Sequence, residues 1–335
     1  MRVFLTGASG FVGSSVVRQL LERDYQVRVL IRSTSPRTNL EGLDVERVEG
    51  DLLDSGSLIR ACQGCRVFFH VAADYRLWAR DPGMLHRTNV EGTRNALNAA
   101  TENQVDRFVY TSSVATLGLN PDGRPADENT PSRLESMIGP YKRSKFEAEA
   151  LVTDWVRARR LDAVIVNPST PVGPRDVRPT PTGRLVRDAA TGRMPAYVDT
   201  GLNIVHVDDV ARGHLQALDR GRTGERYILG GENLALRDIL EQVSRCAGRP
   251  GPRVRLPLRP LWPIALAAEC WGRVSGQEPR LTRDALAMAR KKMYFSSAKA
   301  ESELGYGHRP AEAAIRDAVQ WFLRQPVPQT ENRVE

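Results

Sequence analysis

The chain has 335 residues, 41% hydrophobic and 26% charged, which suits a globular protein built as one extended α/β unit or two associated lobes. A net charge of +8 raises nucleic acid or an anionic membrane as partners. The arginines are scattered, however, with short clusters at RARR (157–160) and RKK (290–292), and no nucleic-acid motif accompanies them, so nucleic acid is not an expected partner. Cysteines at 62, 65, 246 and 270 are too few and too unevenly placed for a disulfide framework, and MRVFLTGASG opens directly on an apolar strand, so a reducing cytoplasm is the expected location.

In chain order, RVFLT (2–6), QVRVLIR (26–32), VERVEGD (45–51), RVFFHVAA (66–73), RFVYTSS (107–113) and AVIVNPS (163–169) read as strands. The helical patterns VVRQLLER, DSGSLIRAC, NVEGTRNALNAATEN and YKRSKFEAEALVTDWV lie between most of them. Continuous apolar strands joined by helices predict a Rossmann-type, doubly wound parallel sheet over residues 1–170, with its ligand at the carboxyl ends of the strands. ACQGC has CxxC spacing but no second cysteine pair or histidine cluster, so Cys62 is read as a helix-end residue and Cys65 as a core residue, and no metal is expected. From GPRDVRPTPTGR onward the rhythm changes to a smaller, mostly helical substrate lobe (171–325), with some later segments able to return to the first domain and a loose tail at 326–335. The most apolar stretch, LPLRPLWPIALAAECW (256–271), is too short to span a bilayer and is expected to form a buried helix, with peripheral contact at a membrane interface as the alternative.

GASGFVG sets Gly7, Gly10 and Gly13 between the first strand and the first helix, where a tight turn, close backbone approach and helix–sheet packing all call for glycine. With Ser9, Phe11 and Val12 between them, these residues are assigned to a dinucleotide, whose pyrophosphate suits the helix N-terminus. The second strand ends in VLIRSTSPR, which offers Arg32 and Arg37 and no carboxylate. A guanidinium there suits a 2′-phosphate, so NADP(H) is favoured over NAD(H).

In YKRSK, Tyr141 and Lys145 stand four apart on one helix face. An ammonium beside a phenol is expected to lower the tyrosine pKa and to make it a proton donor or acceptor nearer neutrality, although such a pair also arises on solvated faces.

TGASGFVG, Asp51-Leu52, HVAA, NVEGT, TSS, YKRSK, NPSTPVGP and HVDDVA together resemble the extended short-chain dehydrogenase/reductase family, in its order, over nearly the whole chain. Within it, DYRLWARDP, TSSVATLGL, NPSTPVGPRD, GRMPAYVDTGLN and ARKKMYFSSAKA are similar to the hopanoid-associated sugar epimerase group, itself similar to dihydroflavonol reductases. The resemblance implies Tyr141 as general acid/base, Lys145 as the residue that lowers its pKa and binds the nicotinamide ribose, and Ser113 as a hydrogen-bond partner of the reacting oxygen. It also implies Asp51 and Leu52 beside the adenine, Val71, Ala72 and Ala73 along the cofactor, Asn89 in support, Pro168 near the nicotinamide, and a homodimer paired through helices near 84–102 and 141–158.

Leu202 and Asn203 stand where nucleotide-sugar members carry an arginine, and Val114 and Ala115 where dehydratases carry Asp-Glu. Taken with Arg32, the resemblance thus implies an NADP(H)-dependent oxidoreductase acting on a carbonyl or secondary alcohol of a small-molecule or lipid-linked sugar or polyol, with hopanoid lipid biosynthesis as the expected setting and with hopanoid-associated sugar epimerisation by transient oxidation, or a non-catalytic dinucleotide sensor, as alternatives. Tyr75, Arg76 and Trp78, placed after a strand's carboxyl end, are candidate substrate contacts, Trp78 alternatively packing the loop between lobes. His70 reads as a core histidine, and His206 and Asp208 as structural groups.

Overall fold

The computed structural model describes residues 1–325 except 77, 79, 80, 278 and 280; the tail expected at 326–335 lies outside the described residues. In β1 (Arg2–Thr6), alternate side chains face opposite ways, so Val3 and Leu5 join one apolar core and Phe4 the other. The first lobe continues through α1 (Phe11–Leu21), β2 (Gln26–Ile31), β3 (Glu46–Glu49), α2 (Ser55–Cys62), β4 (Val67–His70), α3 (Pro82–His86), α4 (Gly92–Glu102), β5 (Arg107–Thr111), α5 (Gly139–Arg157) and β6 (Ala163–Pro168). There follow β7 (Thr170–Val172), α6 (Pro181–Ala190), β8 (Ala196–Tyr197), β9 (Gly201–His206), α7 (Val207–Arg220) and β10 (Arg226–Leu229). The remainder is β11 (Glu232–Ala235), α8 (Leu236–Ala247), β12 (Val254–Arg255), α9 (Leu261–Ser275), α10 (Arg283–Ala289), β13 (Lys292–Met293), α11 (Ala298–Leu304) and α12 (Ala311–Arg324).

Among the described residues, seven strands form one parallel sheet in the order β10-β6-β5-β4-β1-β2-β3. The chain winds outward from β1 in both directions, and its central strands β4 and β6 are buried along their whole length, as a sheet covered on both faces requires. Helices α1 and α7 cover one face, with Val16, Leu20, Val210 and Leu215 in the core; α2, α4 and α5 cover the other. On that second face Phe4, Phe68 and Phe108 meet edge to face at 4.7 and 5.0 Å, and each such buried ring contributes about 1.5–3 kcal/mol. The charged edge strand β3 (ERVE) is mostly exposed, which discourages further strand pairing.

The strand β10 and the helix α7 lie beyond residue 170 and still belong to the first sheet and its covering layer. The smaller lobe therefore consists of segments on both sides of them. Its core joins α6, β9, α8 and α12 through Val186, Ile204, Ile239, Val243, Ile315 and Phe322. Cys62 closes α2 and Cys65 precedes β4; both are buried free thiols, and burial pushes Cys62 up to about 12.

One expectation is reversed. From residue 261 the stretch at 256–271 is helical, within α9, but the helix is not buried: Ala265, Glu269 and Gly272 face the protein while Ile264, Trp271 and Val274 are exposed. A high apolar content signals burial only when the apolar side is the one that packs, and here small residues and a paired carboxylate occupy that side. No described helix is long and apolar enough to cross a membrane.

Candidate active site

The carboxyl ends of the parallel strands open into a cavity of about 1440 Å³, larger than the usual ~300–1,000 Å³ of a single-ligand pocket. Its floor at one end is the glycine loop. Gly7 has φ +83°, and a Cβ there would stand 2.6 Å from the Ala72 amide nitrogen; a Cβ on Gly13 would run into the Gly7 carbonyl oxygen. The Gly10 amide donates to that same carbonyl at 3.0 Å, and Gly10 caps α1 with no side chain over the helix end. Exposed amides at a helix N-terminus, with nothing but backbone before them, fit a pyrophosphate.

Ser9, Phe11, Val12, Asp51, Leu52, Val71, Ala72, Ala73 and Pro168 line the same cavity. At the end of β2, Arg32 also lines it; the Ser35 amide donates to the Arg32 carbonyl at 2.9 Å, while the Arg32 amide donates to Ser35 Oγ at 3.0 Å. Arg37 is exposed and stands outside the cavity wall, where Thr38 and Asn39 are found instead. Asn39 escaped the sequence reading. It is buried, and its side-chain amide donates to the carbonyls of Ser9 (3.2 Å) and Arg175 (3.1 Å), fixing the glycine loop to the chain after β7.

Ser113 leaves the end of β5 as the N-cap of a short turn, its Oγ accepting from the Ala115 amide at 3.1 Å. Across from it, α5 carries Tyr141 and Lys145, and all three line the cavity. Burial pushes the Tyr141 phenol above its ordinary value, and the neighbouring Ser113 hydroxyl draws it partly back. This differs from the expected lowering by Lys145. The buried lysine donates from Nζ to Tyr110 Oη at 3.0 Å and to the Thr111 carbonyl at 2.8 Å, so its hydrogen bonds go to β5 rather than to the phenol. Burial pulls Lys145 itself down to about 8, opposed by the Glu149 carboxylate one helical turn further on.

Glu149 is the main residue that sequence reasoning missed. Its Oε2 accepts from the Ser112 hydroxyl in a short contact, from Thr116 Oγ1 at 2.9 Å and from Asn167 Nδ2 at 2.9 Å, while Oε1 accepts from Arg226 at 3.2 Å. Asn167 also donates to the Ser113 carbonyl at 3.0 Å. The catalytic helix is thereby locked to the turn that presents Ser113. The spacing Tyr141, Lys145, Glu149 was a readable signal, three residues on one helix face. Asn89, in a π-helical turn (Arg87–Glu91), accepts from the Asp74 amide at 2.7 Å and donates to the Asp74 carbonyl and to Ser144 Oγ, both at 2.9 Å. It ties the loop after β4 to α5 from behind.

The other end of the cavity is largely apolar, with Leu117, Leu119, Leu202, Met288, Met293 and Phe295 in its wall. Leu202 faces the cavity, whereas Asn203 is buried and bonded to Gly231, Asn233 and the Phe295 carbonyl. Tyr75 and Arg76 line the cavity, and the Tyr75 hydroxyl donates to the Arg178 carbonyl at 3.2 Å. Trp78 is half-buried and stands outside the wall. Asp176, unnoticed in the sequence, is buried in the wall and accepts from the Thr180 amide and hydroxyl; burial raises it to about 6. His70 is held between the hydroxyls of Thr6 (2.8 Å) and Thr93 (3.2 Å), and burial keeps it neutral. His206 caps α7 through the Asp208 amide at 3.0 Å.

A glycine cradle at β1, with a tyrosine, a lysine and a serine converging at the ends of β5 and α5, defines a dinucleotide-dependent enzyme of the extended short-chain dehydrogenase/reductase type. The chain belongs to the NAD dependent epimerase/dehydratase family, which it matches over residues 3–230. It is 46% identical over 323 residues to a putative dihydroflavonol 4-reductase of Synechocystis sp., covering 95% of this chain and 94% of that protein. It is 36% identical over 325 residues to sterol demethylase protein B of Methylococcus capsulatus, covering 96% and 98% of the two chains. The crystal structure of gox2253 superposes with a TM-score of 0.87 at 54% identity, covering 96% of this chain and 98% of that one. The cofactor is accordingly a pyridine nucleotide.

Proposed function

We propose that the protein is an NADPH-dependent reductase of a carbonyl borne on an apolar scaffold of the hopanoid type. The observation that carries this reading is the contrast between the cavity's two ends: Arg32 and no carboxylate at the end of β2, and a wall of leucine, methionine and phenylalanine beyond Ser113 and Tyr141. The first suits a 2′-phosphate, the second an apolar ring system rather than a sugar diphosphate. The names of the two relatives, a putative dihydroflavonol 4-reductase and sterol demethylase protein B, support the same reading.

The bound nicotinamide supplies the hydride. Tyr141 donates its phenolic proton to the carbonyl oxygen, and the Ser113 hydroxyl donates a hydrogen bond to the same oxygen as charge builds on it. Lys145, one helical turn from Tyr141 in the same cavity wall, would hold the nicotinamide ribose. Glu149 and Asn167 hold the Ser113 turn in register with α5.

The deciding experiment identifies any nucleotide released on denaturation and titrates the emptied protein with NADPH and NADH. Preference for exchangeable NADPH is expected, followed by its oxidation with an apolar polycyclic ketone. Stoichiometric, non-exchanging NAD would overturn the reading in favour of epimerisation by transient oxidation. Tyr141→Phe should lower turnover by about 10²-fold or more with NADPH affinity retained.

A further inference from the structure

We propose that the outer face of α9 docks on an anionic lipid bilayer, and that the α9–α10 hairpin joins this bilayer-facing surface to the catalytic cavity. A helix at a protein surface ordinarily turns its apolar stripe inward and its charges outward. The helix α9 does the reverse. Ile264, Ala267, Trp271 and Val274 recur at intervals of three and four, which puts them on one face, and Ile264, Trp271 and Val274 are 57%, 68% and 81% exposed. Leu266, 47% exposed, borders that face. The inward side has Ala265, Gly272 and Glu269, whose carboxylate accepts from the Arg283 amide at 2.6 Å and from its guanidinium at 2.9 Å. At 15 residues the helix is about 22 Å long, so it can lie in a bilayer interface but not cross one.

Charge selects the occupant. Residues 249–292 contain ten arginines and lysines against three acids, Glu269, Glu278 and Asp284, so this one segment accounts for most of the chain's excess of +8. Arg253, Arg255 and Arg259 precede or border the helix, and Arg290, Lys291 and Lys292 are exposed beyond it. The Arg290 guanidinium lies over the Trp262 ring at 5.2 Å, which brings this second basic group to the first turn of α9. An apolar face with a basic border fits the acyl boundary and headgroups of an anionic membrane. Two copies pairing through it would set like charges against one another.

The same hairpin reaches the active site. On its inner side, α10 contributes Ala285, Met288 and Ala289 to the cavity wall, and Asp284 abuts Gly139 at the start of the catalytic helix. The helix α10 thus packs on α9 and also lines the cavity that holds Tyr141, which gives a lipid carbonyl taken up beside α9 a route along α10. This delivery step rests on the lipid-carbonyl reading above; the docking does not.

The test sediments the full-length protein with phosphatidylcholine vesicles with and without phosphatidylglycerol. Binding to the anionic vesicles, weakened by salt and reduced about tenfold or more by Trp271→Glu with Val274→Glu, is expected, with NADPH affinity and turnover of a soluble ketone unchanged. Turnover of a vesicle-borne ketone should fall in the same variant. Absence of vesicle binding by the native protein, or undiminished binding by the variant, would overturn the docking. So would a lipid-independent dimer that the variant converts to monomer in sedimentation velocity, which would assign the face to a second copy. Equal loss on soluble and vesicle-borne ketone would overturn the delivery step. A failure of the reductase reading shows separately, as vesicle binding without NADPH oxidation.

Discussion

Lys145 and Glu149 set the proton chemistry of the site as a pair. A lysine without solvent gives up its proton more readily, and Lys145 is pulled down to about 8 even with the Glu149 carboxylate supporting its charged form. If carbonyl reduction needs the cation, kcat/KM should hold at neutral pH and fall as pH rises through about 8, which a pH–rate profile would register. Glu149→Gln removes the opposing charge, so the alkaline limb should move to lower pH. The same change places an amide donor among hydroxyl, amide and guanidinium donors, at a stability cost of about 1–3 kcal/mol. An unmoved alkaline limb with lowered stability would leave Glu149 a purely structural group. Tyr141 and Ser113 were legible as types in a pattern; of Glu149 only its place on the Tyr141 face was legible, because its partners Ser112, Asn167 and Arg226 come from distant parts of the chain. Which way the ammonium of Lys145 turns was equally illegible, since Tyr110 and Thr111 become its partners only once β5 lies beneath α5.

The β1–α1 turn is the element whose geometry tolerates least. A methyl group on Gly13 would meet the Gly7 carbonyl oxygen, a backbone atom that can retreat only by opening the turn. Gly13→Ala should therefore weaken NADPH binding by about tenfold or more in calorimetric titration, without loss of secondary structure. Gly123→Ala is the control: φ there is +79° but nothing lies within 4 Å, so it should cost about 1 kcal/mol of backbone strain and leave binding unchanged. Equal effects from the two would mean that general destabilisation, not the cradle, sets affinity. This turn could be read from sequence because strand, glycines and helix are contiguous. The helix α9 could be recognised but not oriented, since its composition is the same whichever side packs. What decides its orientation is Arg283, which draws Glu269 inward from a separate helix.

At the scale of the whole molecule, the parallel sheet of the first six strands followed from their alternation with helices, whereas which later segment returns to it did not. The strand β10 joins the edge of the sheet only after β7, α6, β8, β9 and α7 have been laid down, and α7 then covers the face that carries Val3, Leu5, Val164 and Val166. A division at residue 170 follows composition and removes this cover. The fragment 1–170 would expose the side of the sheet on which Val210, Ala211 and Leu215 are fully buried, together with the free edge of β6. Each of these larger apolar side chains is worth about 1.5–3 kcal/mol when buried, against a total stability of only about 5–15 kcal/mol. The fragment should accordingly be aggregated or lack fixed tertiary structure by near-ultraviolet circular dichroism, and should not bind NADPH although it holds the entire glycine loop. Extension to residue 230 restores α7 and β10 and should recover a folded sheet if the second lobe is dispensable for it. Independent folding of 1–170 would show instead that α1 alone suffices to close that face.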